Sequence, residues 1–571
     1  MKRILLFIFY SFCALAYPQQ KYSYPTQFFI NPLKIDTEPS GTFAELRGNH
    51  FHSGFDFKTQ KKVGFKVYAV ADGYISRIKY STFGYGKAIY VTHYNGFTTV
   101  YGHLQGANPE IEKYIRDKQY ANQTFEIELF PKKDELRVNK GQLLAYSGNS
   151  GGSGGPHLHF EYRDTASEEI INPLFFGIDR AFKDTTAPVL KALWAYPLSD
   201  SSVVSKSASK IKLTYNKLDS NAFITPKLAA QGPIGFAINA YDLVDGHYNH
   251  NGIYKLEMFV NGALHYSVVF DRFNFAETRY INSYIDYEHK KTQNETLQKL
   301  FYISKFPLSL LAKSPTDGIV QVLPGQNYNV LIQISDFNNN KTQVTIPVVY
   351  SADAASVAKP IVKTDYFVKS NRQNVFEKEN VTVTIPKNAF VDDFHLNFDV
   401  QDGVLMLHKD VVPAYQNMTI AFDLSETPFE NVDAKKIFIA ETSGQGPNYL
   451  NTFIKNNKIY ARTKNLGTYQ VLLDTIPPKI YGLSFKDGDN LEAKNTLKVN
   501  ISDNLSGIKK YSGFLNGKWI LMDYDYKTNS LIHNLDDGIY QDGENHFKLE
   551  VTDLGDNQSV LEARFIKSKP N

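Results

Sequence analysis

The chain has almost no thiol chemistry to offer: it holds one cysteine in 571 residues. That residue, Cys13, lies inside an apolar leader, so nothing downstream can form a disulfide staple or a cysteine zinc site. Any metal would have to be held by His, Asp or Glu. A strong charge of either sign is also missing. The formal net charge is +3, and without a concentrated basic patch nucleic acid is excluded as the main partner. Beyond the leader no apolar run reaches the roughly 20 residues needed to cross a bilayer, and no long stretch shows helical periodicity. Met and Trp are scarce, whereas Tyr, Phe, Thr, Val, Asn and Gly are plentiful, a composition of strands and turns. The expected fold class is all-β.

Residues 1–16 read as a secretory signal, with Lys2 and Arg3 as the basic start, Ile4 to Leu15 as the apolar run and Ala14-Leu15-Ala16 as the cleavage site. The mature chain then starts at Tyr17. Phe12 stands where a small residue normally precedes a lipidated cysteine, which disfavours a lipid anchor at Cys13. The expectation is an exported protein in the periplasm or cell envelope, or secreted, with no transmembrane helix after signal removal.

A chain of this length exceeds one hydrophobic core. Residues 17–181 are expected to form a first domain of antiparallel strands, as Gly64 to Arg77 and Lys87 to Tyr101 alternate apolar and polar residues between glycine turns. Pro109 to Tyr120 is its one helix candidate. Two later segments share landmarks in the same order. Asp184-Thr185-Thr186-Ala187-Pro188 returns as Asp474-Thr475-Ile476-Pro477-Pro478; Asn261-Gly262 returns as Asn516-Gly517; Asp336 and Asn340 return as Asp553 and Asn557. Residues 184–351 and 474–571 are therefore expected to be two copies of one β-sandwich, with Asn-Gly at a hairpin. They resemble the immunoglobulin-like modules of bacterial surface proteins. Residues 359–473 form a further β domain of unassigned type, making about three β-sandwich domains after the first. Aspartate-rich turns could bind calcium, but Asp and Asn also populate turns because they hydrogen-bond the local backbone, and that reading is preferred.

Chemistry concentrates in the first domain. In Gly155-Pro156-His157-Leu158-His159-Phe160-Glu161 the two histidines are one residue apart, so on a strand they share a face. His52-Ser53-Gly54-Phe55-Asp56 adds an imidazole and a carboxylate, and Tyr101-Gly102-His103 adds another imidazole. A catalytic zinc takes three protein ligands and keeps a fourth position open. His52 and Asp56 suit two of these from a turn entering a strand, and spacing alone leaves the third open between His157 and His159. Glu161 continues the alternation, either orienting a ligand or lying on the strand surface. For His50 and His93 a structural or surface role is preferred. The glycines from Gly148 to Gly155 lack the lysine of a phosphate loop and suit a flexible rim for an extended peptide.

These motifs, with Gly148-Asn149-Ser150-Gly151, resemble the lysostaphin-type (LytM-type) zinc endopeptidases that cut peptidoglycan peptides, over about Phe43 to Leu174. The resemblance implies a small antiparallel β-sheet domain with a groove, zinc on His52, Asp56 and His159, and His103 and His157 as catalytic residues over the open position. It makes peptidoglycan peptide the expected substrate and Zn2+ the expected cofactor. The alternative, a noncatalytic wall-binding regulator of other hydrolases, typically goes with lost ligands or catalytic histidines, and here all five positions are filled. The β domains offer a surface or protein partner a place to bind. One departure is the insertion Gln105 to Lys140 after the His103 motif, expected to flank the cleft.

Overall fold

The computed structural model describes residues 23–312, 314–358 and 363–568; the expected signal and the Tyr17 start lie outside these. Among the described residues it contains 48 strands and three α-helices, an all-β protein. No helix among them is long and apolar enough to cross a membrane.

In the N-terminal region the two-residue alternation of side chains sorts one face into a core and the other into a groove. The relevant elements are β1 (Phe55–Lys58), β2 (Gly73–Tyr80), β3 (Lys87–His93), β4 (Phe97–Gly102), α1 (Pro109–Asn122), β5 (Leu143–Ser147) and β6 (His157–Asp164). They pair antiparallel in the spatial order β1, β6, β4, β3, β2, while β5 lies in a separate three-stranded sheet. Leu158, Phe160 and Tyr162 of β6 enter the core with Phe55, Phe57 and Ile78, which leaves His157, His159 and Glu161 to the opposite face. Helix α1 begins where Asn108 accepts the Ile111 N–H and Pro109 occupies the first turn. It buries Ile111 and Ile115 against the same core.

Three further cores follow. The first runs from Leu190 to Val348 and also takes in Phe43, Phe51 and Ile170, so the chain just before His52 is anchored in its neighbour. The second packs two five-stranded sheets between residues 366 and 471. The last, from residue 480 to 565, lies between a four-stranded and a five-stranded sheet. Asn261-Gly262 and Asn516-Gly517 both close two-residue hairpins with positive φ at both positions, the twist-matched turn that Asn-Gly favours.

Candidate metal centre and groove

Strand register assembles the centre. Asp56 of β1 lies opposite His159 of β6, and on its other side His159 lies opposite Gly102, the residue before His103. His103 takes φ +56°, a left-handed turn that ends β4. His52 precedes β1 in the turn expected for it. His52 Nε2 lies 3.1 Å from Asp56 Oδ1 and 3.2 Å from His159 Nδ1, and His159 Nδ1 lies 2.8 Å from Asp56 Oδ1. His157 Nε2 stands 3.4 Å from the same carboxylate oxygen, and its ring centre is 4.7 Å from that of His103. All five residues singled out by sequence come together, while His50 and His93 stand apart. His50 is exposed; His93 is buried, bonding the Asp72 carbonyl and Thr99 Oγ1.

Each imidazole is fixed through the nitrogen that faces away from the centre. His52 Nδ1 meets the Thr42 carbonyl at 2.8 Å, His159 Nε2 the Glu161 carboxylate at 2.9 Å, His103 Nδ1 the Ser150 carbonyl at 2.8 Å, and His157 Nδ1 the Gly155 carbonyl at 2.8 Å. These partners only accept, so each of those nitrogens carries the hydrogen and the inward nitrogen presents a lone pair. With each ring carrying only that hydrogen, His52 Nε2, His159 Nδ1 and Asp56 Oδ1 converge as three acceptors. Such an arrangement needs a positive charge at its middle. Donors 2.0–2.1 Å from one tetrahedral ion stand roughly 3.3 Å apart, so this nitrogen and oxygen set fits zinc.

The electrostatics agree. Burial alone would raise the Asp56 carboxyl, but His52, His157 and His159 hold it well below the usual carboxylate range. Burial disfavours charge on His159, yet Asp56 and Glu161 lift it to about 9. Without an ion a proton is drawn into the place a cation would take. Burial, helped by His159 and His157, lowers His103 to about 3, which keeps that ring neutral.

A supporting layer was only partly visible in the sequence. Glu161 is fully buried rather than on a strand surface, gripped by Arg163 and by the Tyr85 hydroxyl at 2.5 Å. Tyr85 also stacks on His159, and Ser53 bonds its hydroxyl. Gly84-Tyr85-Gly86 carries no recognisable motif. The glycine run is not uniformly loose. A Cβ on Gly148 or Gly151 would fall within 2.3 Å of neighbouring backbone, whereas Gly154 and Gly155 have open space. A 560 Å³ pocket beside Asp56 and His157 is lined by Glu38, Arg47, Lys58 and Lys61 among others, and by Gly154 to Pro156. The 105–140 insertion, expected to flank the cleft, contributes nothing to that lining. Instead α1 meets the last sandwich, with Tyr120 against Trp519, Asp537 and the Leu521 N–H. The same sandwich reaches the rim, where Lys527 Nζ bonds the Asn149 carbonyl at 2.5 Å, Tyr526 packs on Phe83 and Asp523 pairs with Lys87.

The profile of Peptidase family M23 matches residues 50–124, which include His52, Asp56 and His103. The chain carries an M23 peptidase domain. The M23 domain aligns with a metalloprotease of Haemophilus influenzae, 32% identical over 123 residues, covering 22% of this chain and 20% of that protein. It also aligns with a peptidoglycan DD-endopeptidase of Vibrio cholerae, 28% identical over 111 residues, covering 19% of this chain and 20% of that one. The chain thus spans about a fifth of the length of the curated relatives it matches. Among solved structures, the catalytic domain of lysostaphin from Staphylococcus simulans is 22% identical, covering 25% of this chain and 92% of that one with a TM-score of 0.19. Residues 365–474, unassigned from sequence, match a Zu5-like domain.

Proposed function

We propose that the protein is an exported zinc endopeptidase that hydrolyses peptide bonds in peptidoglycan stem peptides or crosslinks. The observation that carries this reading is the set of three converging acceptors on His52, Asp56 and His159, with two more imidazoles on the side toward the groove. The M23 match and the peptidoglycan-acting relative support the substrate class.

His52, Asp56 and His159 would hold the ion. When bound, zinc supplies Lewis acidity, lowering the pKa of water to about 7 and polarising a carbonyl. The chain does the rest. His157 and His103 each turn Nδ1 to a backbone carbonyl, which leaves Nε2 to take a proton from an attacking water. Once protonated, either ring can donate to the oxygen that gains charge or to the leaving amine. Ser150 and Gly155 hold these rings in orientation through backbone carbonyls. The open strip at Gly154 and Gly155 leaves room for an extended peptide backbone beside β6.

Incubation of the zinc-loaded protein with purified peptidoglycan, followed by mass spectrometry, tests the proposal. New amino termini within stem peptides are expected; cleavage only between sugars would reject the substrate class.

A further inference from the structure

The shared landmarks of the two sandwiches meet in space. In the first, Asp184, Asp242 and Asp336 each direct a carboxylate oxygen to one point, with all three oxygens within 4.8 Å of one another. In the last, Asp474, Asp503 and Asp553 do the same. Two parts of the scaffold recur. Asn340 donates its side-chain amide to the Asp336 carboxylate and the Asp184 carbonyl, as Asn557 does to Asp553 and Asp474. Thr342 Oγ1 donates to the Pro188 carbonyl, as Ser559 Oγ does to Pro478. Asp242 and Asp503 each follow the end of a strand.

Acidic turns alone would not make a site, but these clusters also contain buried polar atoms without partners. Asp242 is 6% exposed, and its Oδ1 has no hydrogen-bond partner. Asp503 Oδ1 is likewise unpartnered, and so is Oγ of Ser506, 3% exposed, whose N–H bonds Asp474. Among the described residues no Lys, Arg or His pairs with any of the six carboxylates, and Lys436, near the last cluster, bonds Asn557 instead. Three carboxylates crowded out of water need a compensating positive charge.

We propose that each cluster binds a calcium ion, one in each of the two sandwiches, at the joint where the preceding domain's chain enters. An all-oxygen donor set selects a hard cation, and burial leaves little space for the several waters that magnesium retains. Asp184 follows the M23 domain and Asp474 is the last residue of the Zu5-like match, so each ion ties the incoming chain to two strand-end loops of its sandwich. Calcium here stiffens the molecule at two hinges, independently of peptidase chemistry.

The test uses the full chain, stripped with chelator and reloaded with one equivalent of zinc, then titrated with calcium by calorimetry and followed by thermal unfolding. The expected result is two bound calcium ions with affinities of roughly 10⁻⁴ to 10⁻³ M, as in extracellular modules, and a higher unfolding midpoint. Asp242→Asn should remove one ion and Asp503→Asn the other, with zinc content unchanged. Binding of a single ion, abolished by one of these variants, would retain that cluster and overturn the other. No uptake by the wild-type chain at several times those concentrations, or two ions retained in both variants, would overturn the proposal. The wild-type titration decides even if a variant fails to fold.

Discussion

The first and last sandwiches share their turns and aspartates, yet they grip the M23 domain in different ways. The first takes Phe43, Phe51 and Ile170 into its own core, and Phe51 packs against Phe273 beside its N–H bond to Thr278. Phe51 is the residue before His52, so one proposed ligand is anchored by an apolar contact that cannot open without exposing aromatic surface. The last sandwich keeps its core to itself and touches the rim through Lys527, Tyr526 and Asp523, largely by polar contacts. Its Lys527 bonds Asn149, next to the Ser150 carbonyl that holds His103. A shared core makes the first sandwich part of the peptidase, whereas a polar contact leaves the last one as an adjustable buttress.

The centre itself sets the scale against which both grips are measured. His157→Ala should lower turnover by roughly 10²–10⁴-fold while zinc is retained, whereas His159→Ala should lose both; metal analysis alongside peptidoglycan digestion checks this. Phe51→Ala should cost roughly 3–5 kcal/mol of stability, read from denaturant unfolding, and should weaken zinc binding through His52. Equal zinc affinity in that variant would break the comparison on the side of the first sandwich.

The sheet that carries the centre has its own pH limit. Burial lowers His93 to about 4, below its unfolded value of about 6.5, so the unfolded chain takes up the proton first. Stability is therefore full above about pH 6.5 and declines as pH falls toward 4, by about 3 kcal/mol from this residue. His93→Gln should flatten that slope in unfolding measured across the interval. Glu161→Gln should weaken zinc binding roughly 10–100-fold by loosening His159, measured by competition with a chelator. The smallest effect belongs to the last sandwich. Lys527→Ala removes one polar contact and should change stability by at most about 1 kcal/mol and peptidoglycan cleavage only a few-fold. A loss as large as that of Phe51→Ala would mean that the two grips are alike.

What could be read in the sequence was whatever local geometry encodes. His157 and His159 had to share a face because strand side chains alternate, and Asn-Gly marked both hairpins because its backbone suits their twist. The alternation of 64–77 and 87–101 and the helix candidate 109–120 were local as well. The long-range partners were not legible. Nothing around Tyr85 announces that its ring will lie on His159, and nothing in Lys527 points to Asn149, 378 residues earlier. Phe51 reads as an ordinary apolar strand residue, whichever core it enters. The aspartate turns show the boundary clearly. Asp336 with Asn340 is a self-sufficient turn in sequence, and only folding brings Asp184 and Asp242 to it.

Anomalous diffraction from zinc-soaked crystals at the zinc absorption edge tests the central claim most directly. The account predicts one strong peak bounded by His52 Nε2, Asp56 Oδ1 and His159 Nδ1, with His103 and His157 facing its open side. No peak there, or a peak ligated by His157 in place of His159, would contradict it.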